Sequence, residues 1–326
     1  MIGRREFIAG LGGAAAWPLA ARAQQGELVR RVGVLTSADT IDIDIINRRW
    51  RDELEKLGWM EGRNLRLDIR FGTGDAVQTG ALAADLVQLA PDVIVATYLV
   101  ALRAVQQQTK TIPIVFLGSG DPVGTGRVRN PAHPEGNATG FASAFGSLGG
   151  KWLELLKEVA PNITRVLHMY PVVANLRATY LDSIEAAAQS LRVQIVAVPV
   201  SDADAMKAAI ESFAAEPNGG LLPSPAIIIL APLELTRLAA QYRLPAIYGD
   251  SRLPAIGGLM SYSSDLDELV RGSATYVDRL LRGAKVGDLP VQYPTKFHLV
   301  INLKTARALG LVVPPSILVR ADEVIE

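Results

Sequence analysis

The stretch that first points to chemistry in this chain of 326 residues is GDPVGTGRV, residues 120–128, one residue after the apolar run IPIVFLG. A carboxylate such as Asp121 at a strand end can accept hydrogen bonds from a ligand or hold its cationic group. Glycines at 124 and 126 let the backbone come close to a ligand or bend sharply. The alternative is an Asp-Pro turn that only closes the strand, because proline fixes the backbone there. The stretch is therefore a candidate binding loop or a structural turn.

Two more loops in the first half of the chain carry polar side chains after strand-like runs. Thr97 and Tyr98 follow VIVA and offer a hydroxyl group and a ring that could stack on a ligand, with a helix cap as the alternative. Ser37 and Asp39 lie in the loop after RRVGVLT, where Asp39 is equally suited to cap the next helix. These four residues are candidate ligand contacts.

In the second half of the chain, Tyr248 and Asp250 end the strand-like run LPAIYGD. An aromatic ring at this position can clamp a flat ligand, and a carboxylate can bind its polar groups. Tyr262 lies in a predicted connection between the two halves, where packing at a hinge is the favoured interpretation. Tyr248 and Asp250 therefore join the candidate contacts.

The motifs of catalysis and of cofactor binding are missing from the sequence. A dinucleotide-binding fingerprint needs glycines in the first strand–helix turn, and that turn reads LTSADTIDIDI. GSLGGKW fails as a phosphate loop because Trp152 stands where a Ser or Thr must hold magnesium, and GDSRL lacks the second glycine of a nucleophile elbow. The histidines His133, His168 and His298 show no metal-ligand spacing, and His168 lies in a strand-like run typical of a core histidine. We therefore predict a protein that is not an enzyme and has neither a cofactor nor a metal.

Strand-like runs and amphipathic helical patterns alternate along the chain. The first series includes RRVGVLT, PDVIVATY and IPIVFLG, and the second includes RVLHMY, VQIVAVPV and AIIIL. Apolar strands that alternate with helices are typical of a parallel sheet covered by helices on both faces. The sequence therefore predicts an α/β fold of two similar lobes, joined at the Gly- and Ser-rich stretch 136–150. Because ligands bind beyond the carboxyl ends of such strands, the candidate residues would line a cleft between the lobes.

The N-terminal stretch MIGRREFIAGLGGAAAWPLAARA, residues 1–23, has the pattern of an export signal. A basic start, a short apolar middle and a small-x-small end describe a cleaved secretory signal peptide. The apolar part is too short and too rich in glycine to span a bilayer, which needs about 20 apolar residues. The sequence RREFI resembles a bacterial twin-arginine signal, with general (Sec) secretion or an ordinary cytoplasmic N-terminus as alternatives. We expect cleavage after Ala23 and a periplasmic protein.

Composition sets limits on the partners of the remaining chain. Without residues 1–23, which hold three arginines and one glutamate, 30 basic and 32 acidic residues leave a net charge of −2. This balance gives no electrostatic footprint for nucleic acid or for an anionic membrane surface. The sequence has no cysteine, which excludes a disulfide, a thiolate metal site and a cysteine nucleophile. We therefore expect neither nucleic acid nor a membrane surface as a partner.

Several stretches taken together resemble the bacterial family of ABC-transporter substrate-binding proteins that includes tryptophan- and other aromatic-amino-acid-binding members. They cover nearly the whole chain after residue 23 and read LEKLGWMEGRNLRLDIRF, IPIVFLGSGDPVGTGRV, GNATGF, KWLELLKEVAP, YRLPAIY, GGLMSY, DRLLRGAKVGDLPVQYPTKFHLVINLKTARALGL and RADEVIE. The resemblance implies a type I periplasmic-binding-protein fold, with two Rossmann-like lobes joined by three hinge crossovers, and no catalysis. On that basis we expect the first lobe at 29–145 plus 260–291 and the second at 146–259 plus 292–326.

The resemblance also implies roles for individual residues. Thr97 matches a hydroxyl-bearing loop of the first lobe, Asp121 the aspartate of a DPV motif, and Asn175 an asparagine before a second-lobe helix. Tyr98 and Leu99 stand where many members have proline and a small residue, so we expect a different pocket floor. The segment after AIIIL reads APLELTRL where the family often has a helix with a histidine or an arginine. The identity of the ligand therefore does not transfer.

The function implied by the resemblance is the capture of a small solute, an amino acid or an aromatic compound, in the cleft of a periplasmic protein. The lobes would close on the solute by hinge motion, and the closed form would dock on an ABC permease in the inner membrane. A sensor that partners a receptor rather than a permease is the alternative. A monomer is the expected state.

Overall fold

The structure, a computed structural model, describes residues 29–36, 43–72, 75–118, 121–143, 146–172 and 178–326. The strands of this part of the chain are β1 (Arg30–Thr36), β2 (Leu65–Phe71), β3 (Val93–Thr97), β4 (Ile114–Leu117), β5 (Ala138–Phe141), β6 (Arg165–Pro171), β7 (Gln194–Val200), β8 (Gly219–Leu221), β9 (Ile247–Tyr248), β10 (Met260–Ser264), β11 (Phe297–Asn302) and β12 (Glu323–Ile325). Its helices are α1 (Ile43–Lys56), α2 (Ala76–Gln88), α3 (Tyr98–Gln108), α4 (Leu148–Val159), α5 (Ala178–Leu191), α6 (Ala203–Ala214), α7 (Pro225–Ile228), α8 (Pro232–Gln241), α9 (Leu266–Leu281), α10 (Leu303–Leu309) and α11 (Pro315–Arg320). The predicted α/β class with two Rossmann-like lobes is confirmed.

The first lobe has a five-stranded parallel sheet with the strand order β2-β1-β3-β4-β5. Every residue of β3 is buried, which explains why its sequence, VIVAT, is almost continuously apolar. Helices α2 and α3 pack on one face of this sheet, and α1 and α9 cover the other. Because all five strands run in the same direction, the carboxyl ends of β1, β3 and β4 meet at one edge of the sheet.

The second lobe is built from two ladders that meet at one bridge. β7-β6-β8 are parallel, and in β12-β11-β10-β9 the pair β10–β11 is antiparallel. The N–H of Leu221 in β8 donates to the main-chain oxygen of Pro245 at 2.8 Å, and Leu221 bridges Ala246 just before β9. Through this bridge the described strands of the second lobe form one continuous sheet.

One predicted strand, AIIIL at 226–230, is wrong. Residues Pro225–Ile228 form the short helix α7, with Pro225 in the first turn, where the fixed φ of proline favours a helix. The strand that pairs with β6 is the preceding segment, Gly219–Leu221. A Cβ on Gly219 would lie 2.5 Å from the Phe213 ring, so packing requires glycine in a strand that the apolar pattern did not identify.

The first and third connections between the lobes are tied to each other. They follow β5 and precede β11. The N–H of Ala142 donates to the main-chain oxygen of Gln292 at 2.9 Å, and the N–H of Gln292 donates to that of Gly140 at 2.9 Å. Gln292 therefore extends the first-lobe sheet by one bridged residue beyond β5.

The second connection leaves the second lobe after Ser264. Strand β10, Met260–Ser264, pairs with both β9 and β11 in the second sheet. The boundary expected from the sequence, residue 260, lies at the start of this strand, and the chain crosses only after its end. Helix α9 then packs on the first lobe, where the Trp59 indole donates to the Asp278 carboxylate at 2.8 Å. No helix in the described ranges is long and apolar enough to cross a membrane.

Candidate functional site

Asp121 lies in the loop that follows β4, at the edge of the first sheet where the carboxyl ends of the strands meet. Its Oδ1 accepts the N–H of Gly124 at 2.9 Å and the hydroxyl of Tyr293 at 3.3 Å. The hydroxyl of Thr125 donates to the main-chain oxygen of Asp121 at 2.9 Å. Oδ2 receives no hydrogen bond from the part of the chain that the structure describes. A structural turn and a binding role for Asp121 are therefore compatible. The hydrogen bonds from Gly124 and Tyr293 use one carboxylate oxygen, and the second oxygen is available to a ligand.

Gly124 lets the loop fold back onto this carboxylate. A Cβ at this position would lie 2.5 Å from Asp121 Oδ2 and 2.9 Å from its Cγ. Cβ atoms essentially never come that close to another heavy atom, so a side chain at 124 would displace the carboxylate or the loop. The close approach that the sequence predicts for a ligand is made here by the protein's own carboxylate.

Two tyrosines outside the first lobe interact with Asp121, Tyr293 through a hydrogen bond and Tyr180 through the charge of the carboxylate. Tyr293 lies on the third connection, and burial together with the charge of Asp121 raises the pKa of its phenol to about 12. This hydroxyl is therefore protonated and donates at neutral pH. Tyr180 lies on α5 of the second lobe, and its pKa is also raised, by burial first and by the charge of Asp121 second. A first-lobe carboxylate is thus within electrostatic reach of both other parts of the molecule.

Tyr180 is held in place by packing within the second lobe. Its ring lies 5.1 Å from that of Trp152 on α4, with 52° between the ring planes. The Trp152 indole donates to the main-chain oxygen of Tyr262 at 2.7 Å. The Tyr262 ring in turn stacks on Phe297 with 5.3 Å between centroids, so the packing interpretation of Tyr262 is confirmed. Two aromatic pairs, joined by one indole-to-main-chain hydrogen bond, therefore connect Phe297 at the start of β11 to Tyr180.

The sequence pattern does not mark Tyr180 or Tyr293 as a functional residue. Tyr180 lies within a helical pattern and has the spacing of an ordinary core residue. Tyr293 lies in the stretch PVQYPTKF, where its place in a predicted crossover was the only available signal. Tertiary structure brings the Tyr293 hydroxyl to Asp121 and puts Tyr180 within range of its charge, although both tyrosines are more than 50 positions away along the chain.

Thr97 ends β3, and its hydroxyl oxygen lies 2.5 Å from that of Thr36 at the end of β1. The two residues face each other in the parallel register of these strands. Thr97 is the N-cap residue of α3, but its side chain makes no capping hydrogen bond to that helix. Tyr98 has φ = +66°, in the left-handed region that is unfavourable for a residue with a side chain. Hydroxyl groups and a strained backbone therefore lie at the same sheet edge as the loop of Asp121.

Tyr248 and Asp250 have other partners in this structure. Tyr248 is fully buried in the core of the second lobe, and burial raises the pKa of its phenol. Its hydroxyl has no hydrogen-bond partner within the described ranges. Asp250 is gripped by the guanidinium of Arg252, with Nε–Oδ1 at 2.8 Å and Nη2–Oδ2 at 2.5 Å. These two residues thus serve packing and an ion pair rather than an open site.

The remaining candidates divide into two groups. Ser37, Asp39 and Asn175 lie outside the described residues. His168 is buried in β6, and its Nδ1 lies 2.8 Å from the main-chain oxygen of Leu222. Burial lowers its pKa to about 4, so the imidazole is neutral at pH 7, as expected for a core histidine. In the described ranges, no three His, Cys, Asp or Glu side chains come together in a way that could hold a metal ion.

Comparison with known proteins places this geometry in context. The family model of the ABC transporter substrate binding protein matches residues 32–325. The curated "Tyrosine-binding protein" of Clostridioides difficile (strain R20291) is 24% identical over 282 residues, which cover 86% of this chain and 81% of that protein.

Two solved structures have a closely similar fold. A conserved domain protein from Vibrio cholerae O1 biovar El Tor is 25% identical, with a TM-score of 0.83 over 91% of this chain and 99% of that chain. The ABC domain in complex with L-Trp from Streptococcus pneumonia is 22% identical, with a TM-score of 0.84 over 91% of this chain and 100% of that chain. The family binds substrates and is not catalytic. Since the family model spans almost all of the described residues, this chain belongs to the family of ABC transporter substrate-binding proteins.

Proposed function

We propose that this protein captures an amino acid, or an aromatic compound that carries an amino group, in the cleft between its two lobes. The observation that carries the proposal is the Asp121 carboxylate, whose Oδ1 is held by Gly124 and Tyr293 while Oδ2 accepts no hydrogen bond from the described residues. A fixed carboxylate with a free oxygen binds an ammonium group through charge-assisted hydrogen bonds. Asp121 would therefore hold the cationic end of the ligand.

The other end of an amino acid needs hydrogen-bond donors, and the neighbouring strands offer them. The hydroxyls of Thr36 and Thr97 lie at the ends of β1 and β3, at the same sheet edge as the loop after β4, and because they are hydrogen-bonded to each other one of the two hydroxyl hydrogens is already engaged. Helix α3 begins directly after Thr97, and the N–H groups at a helix N-terminus favour a negative charge. A ligand carboxylate at this edge would thus find both hydroxyl and N–H donors. Tyr98 would add contact area for an apolar or aromatic side chain.

The relatives support the amino-acid class. One is named as a tyrosine-binding protein, and one solved structure contains L-Trp. Both names describe other proteins at 22–24% identity, so they indicate a class of ligand for this chain rather than one compound.

Delivery to an ABC permease in the inner membrane is the second part of the proposal. A ligand that contacts both lobes binds the closed form better than the open form and shifts the population towards it. The closed form would dock on the permease as a monomer, in the periplasm, after export through the signal at residues 1–23 and cleavage after Ala23. Membership of the substrate-binding family supports this role, and the RREFI sequence supports the twin-arginine route.

Thermal unfolding of the purified protein with a panel of amino acids, aromatic acids, sugars and nucleosides tests the proposal. A ligand at a hundredfold excess over its Kd raises the free energy of unfolding by about 2.7 kcal/mol. We expect such a shift with amino acids, and its loss in Asp121→Asn. The matched control is Asp250→Asn, which keeps the ligand-dependent shift because Asp250 is already paired with Arg252. A shift with sugars alone, or an unchanged shift in Asp121→Asn, would contradict the proposal.

A further inference from the structure

We infer that Tyr293 is a positioning residue that couples the binding carboxylate to the hinge. The inference rests on the proposed function, because it concerns the same site, and it adds how occupancy of that site reaches the closing motion. The hydroxyl of Tyr293, on the third connection, donates to Oδ1 of Asp121, with 3.3 Å between the two oxygens.

The chain leaves the first lobe at Tyr293. The preceding residue, Gln292, is bound to the first sheet by main-chain hydrogen bonds to Gly140 and Ala142, both at 2.9 Å. The Gln292 side chain also donates to the Tyr276 hydroxyl of α9 at 3.0 Å. After Tyr293, three residues lead to β11 in the second lobe. Tyr293 is therefore the first residue on the hinge side of a firmly held anchor, and a change in lobe orientation moves it relative to Asp121.

The hydrogen bond between Tyr293 and Asp121 is longer than usual. The usual O–H···O distance is about 2.7–2.8 Å, so a separation of 3.3 Å can shorten or lengthen as the hinge moves. The same Oδ1 also accepts the N–H of Gly124, which belongs to the first lobe and does not depend on the hinge. The Gly124 N–H thus fixes the carboxylate to its own loop, whereas the hydrogen bond from Tyr293 changes with the position of the hinge.

Ligand binding and hinge position are then linked through the orientation of one carboxylate. With the Tyr293 hydroxyl on Oδ1, the carboxylate is held with Oδ2 available for a ligand. When the hinge moves Tyr293 away, Gly124 is the one donor in the described ranges that still holds the group, and the orientation of the carboxylate is less well defined. A ligand that needs Oδ2 therefore binds more tightly to the hinge position in this structure, and it shifts the population towards that position by this difference in affinity.

A double-mutant cycle with two readouts tests the inference. The variants are Tyr293→Phe, Asp121→Ala, which removes the acceptor oxygen, and the two combined, with Tyr242→Phe as the control because its hydroxyl faces Glu211 on an exposed part of the second lobe. The first readout is the affinity for L-tyrosine and L-tryptophan by calorimetry. The second is the distance between the lobes from paired spin labels on cysteines introduced at Val77 and Leu233. The native chain has no cysteine, and these side chains are 83% and 56% exposed, so the labels are unique and accessible.

We expect Tyr293→Phe to lower the affinity about tenfold and to reduce the ligand-dependent change in the distance between the lobes. In the Asp121→Ala background the same substitution should add nothing, because the acceptor of the Tyr293 hydroxyl is already gone. Tyr242→Phe should match the native protein in both readouts. The inference is overturned if Tyr293→Phe behaves like the native protein, or if its effect is the same in both backgrounds, as a purely structural role requires.

If neither amino acid binds the native protein, the proposed ligand class fails, and the inference is decided by the unliganded distances. Tyr293→Phe and Asp121→Ala should then shift the distance distribution in the same way, and the combined variant should shift it no further. An unchanged distribution in Tyr293→Phe would overturn the coupling whatever the ligand is.

Discussion

Two aspartates, one in each lobe, follow a strand at the sheet edge where ligands bind, and they differ in what they touch. Asp121 follows β4 of the first lobe, and within the described ranges its side chain accepts hydrogen bonds from two neutral donors, Gly124 and Tyr293, both on one oxygen. Asp250 follows β9 of the second lobe and contacts the Arg252 guanidinium through both oxygens. The charge of Asp250 is therefore compensated within its own loop, whereas no described residue compensates the charge of Asp121 by an ion pair.

The difference shows that position at a strand end does not by itself make a binding residue. A carboxylate that loses water when a cleft closes needs a cationic or strongly donating partner, because an uncompensated charge is costly to bury. An arginine two residues away supplies that partner to Asp250. Asp121 has none in the described part of the chain, so under the proposed function the cationic group of a ligand would be that partner.

The largest predicted effect separates the two aspartates directly. Asp121→Asn should weaken amino-acid binding about a thousandfold, or roughly 4 kcal/mol, because it leaves the ligand's ammonium without its charged partner. Asp250→Asn should leave the affinity unchanged within about twofold and lower only the stability, by roughly 1 kcal/mol after allowance for partial solvent exposure. Calorimetric titration and urea unfolding of both variants measure the two effects. Equal losses of affinity in the two variants would show that the Arg252 ion pair does not distinguish Asp250 from Asp121 in ligand binding.

The next effect concerns a buried polar group of the second lobe that acts on stability alone. The pKa of His168 is about 4 in the folded state, below its ordinary value of 6.5, because of burial. The unfolded chain therefore binds a proton between these pH values that the folded protein does not bind. The free energy of unfolding should fall by about 3 kcal/mol as the pH decreases from about 6.5 to about 4.

Urea unfolding across this pH range, with His168→Gln, tests the assignment. The variant should lose that part of the pH dependence, since glutamine does not titrate. The matched control is His133→Gln, an exposed position, which should keep the native slope. A native slope in His168→Gln would assign the pH dependence to other groups.

A smaller effect tests how closely the first-lobe loop fits its carboxylate. Gly124→Ala places a Cβ within 2.5 Å of Asp121 Oδ2, so the carboxylate must move, and the affinity should fall about tenfold, or roughly 1.4 kcal/mol. The control is Gly80→Ala in α2, where nothing lies within 4 Å of the new Cβ. That change should stabilise the protein by about 0.5–1 kcal/mol and leave the affinity unchanged. Native affinity in Gly124→Ala would mean that the position of Oδ2 is not critical.

The smallest effect is expected at the buried tyrosine of the second lobe. The Tyr248 hydroxyl has no hydrogen-bond partner in the described ranges, so Tyr248→Phe removes a buried polar group without breaking a bond. The free energy of unfolding should stay the same or rise by less than about 1 kcal/mol. Denaturation measurements check the stability, and titration should show native affinity. A loss of affinity would restore Tyr248 as a ligand contact.

The sequence allowed the fold class to be predicted, and it singled out Asp121 as a candidate binding residue, which stays a prediction. Alternating apolar runs and helical patterns indicate the parallel sheets, because strands buried on both faces, such as β3, cannot alternate with polar residues. The GDPVG stretch singles out Asp121 because an aspartate, a proline and glycines lie together directly after an apolar strand. Both signals are local, and both can be read without the tertiary structure.

The errors arose where tertiary contacts decide. AIIIL has the composition of a strand, but Pro225 begins a helix there and the glycines of β8 form the strand. Tyr248 looked like a clamp at a strand end, yet its side chain points into the core. Tyr293 is 172 residues from Asp121, and no periodicity or motif joins positions so far apart.

Whether Asp121 binds the ammonium group of the ligand is tested by calorimetric titration of the native protein and of Asp121→Asn with L-tryptophan and N-acetyl-L-tryptophan. Acetylation removes the cationic ammonium and keeps the ring and the carboxylate. We expect the native protein to bind L-tryptophan at least about a hundredfold more tightly than the acetylated form, and Asp121→Asn to lose this preference. Equal binding of both compounds by the native protein, or a preference that persists in Asp121→Asn, would contradict the role of Asp121.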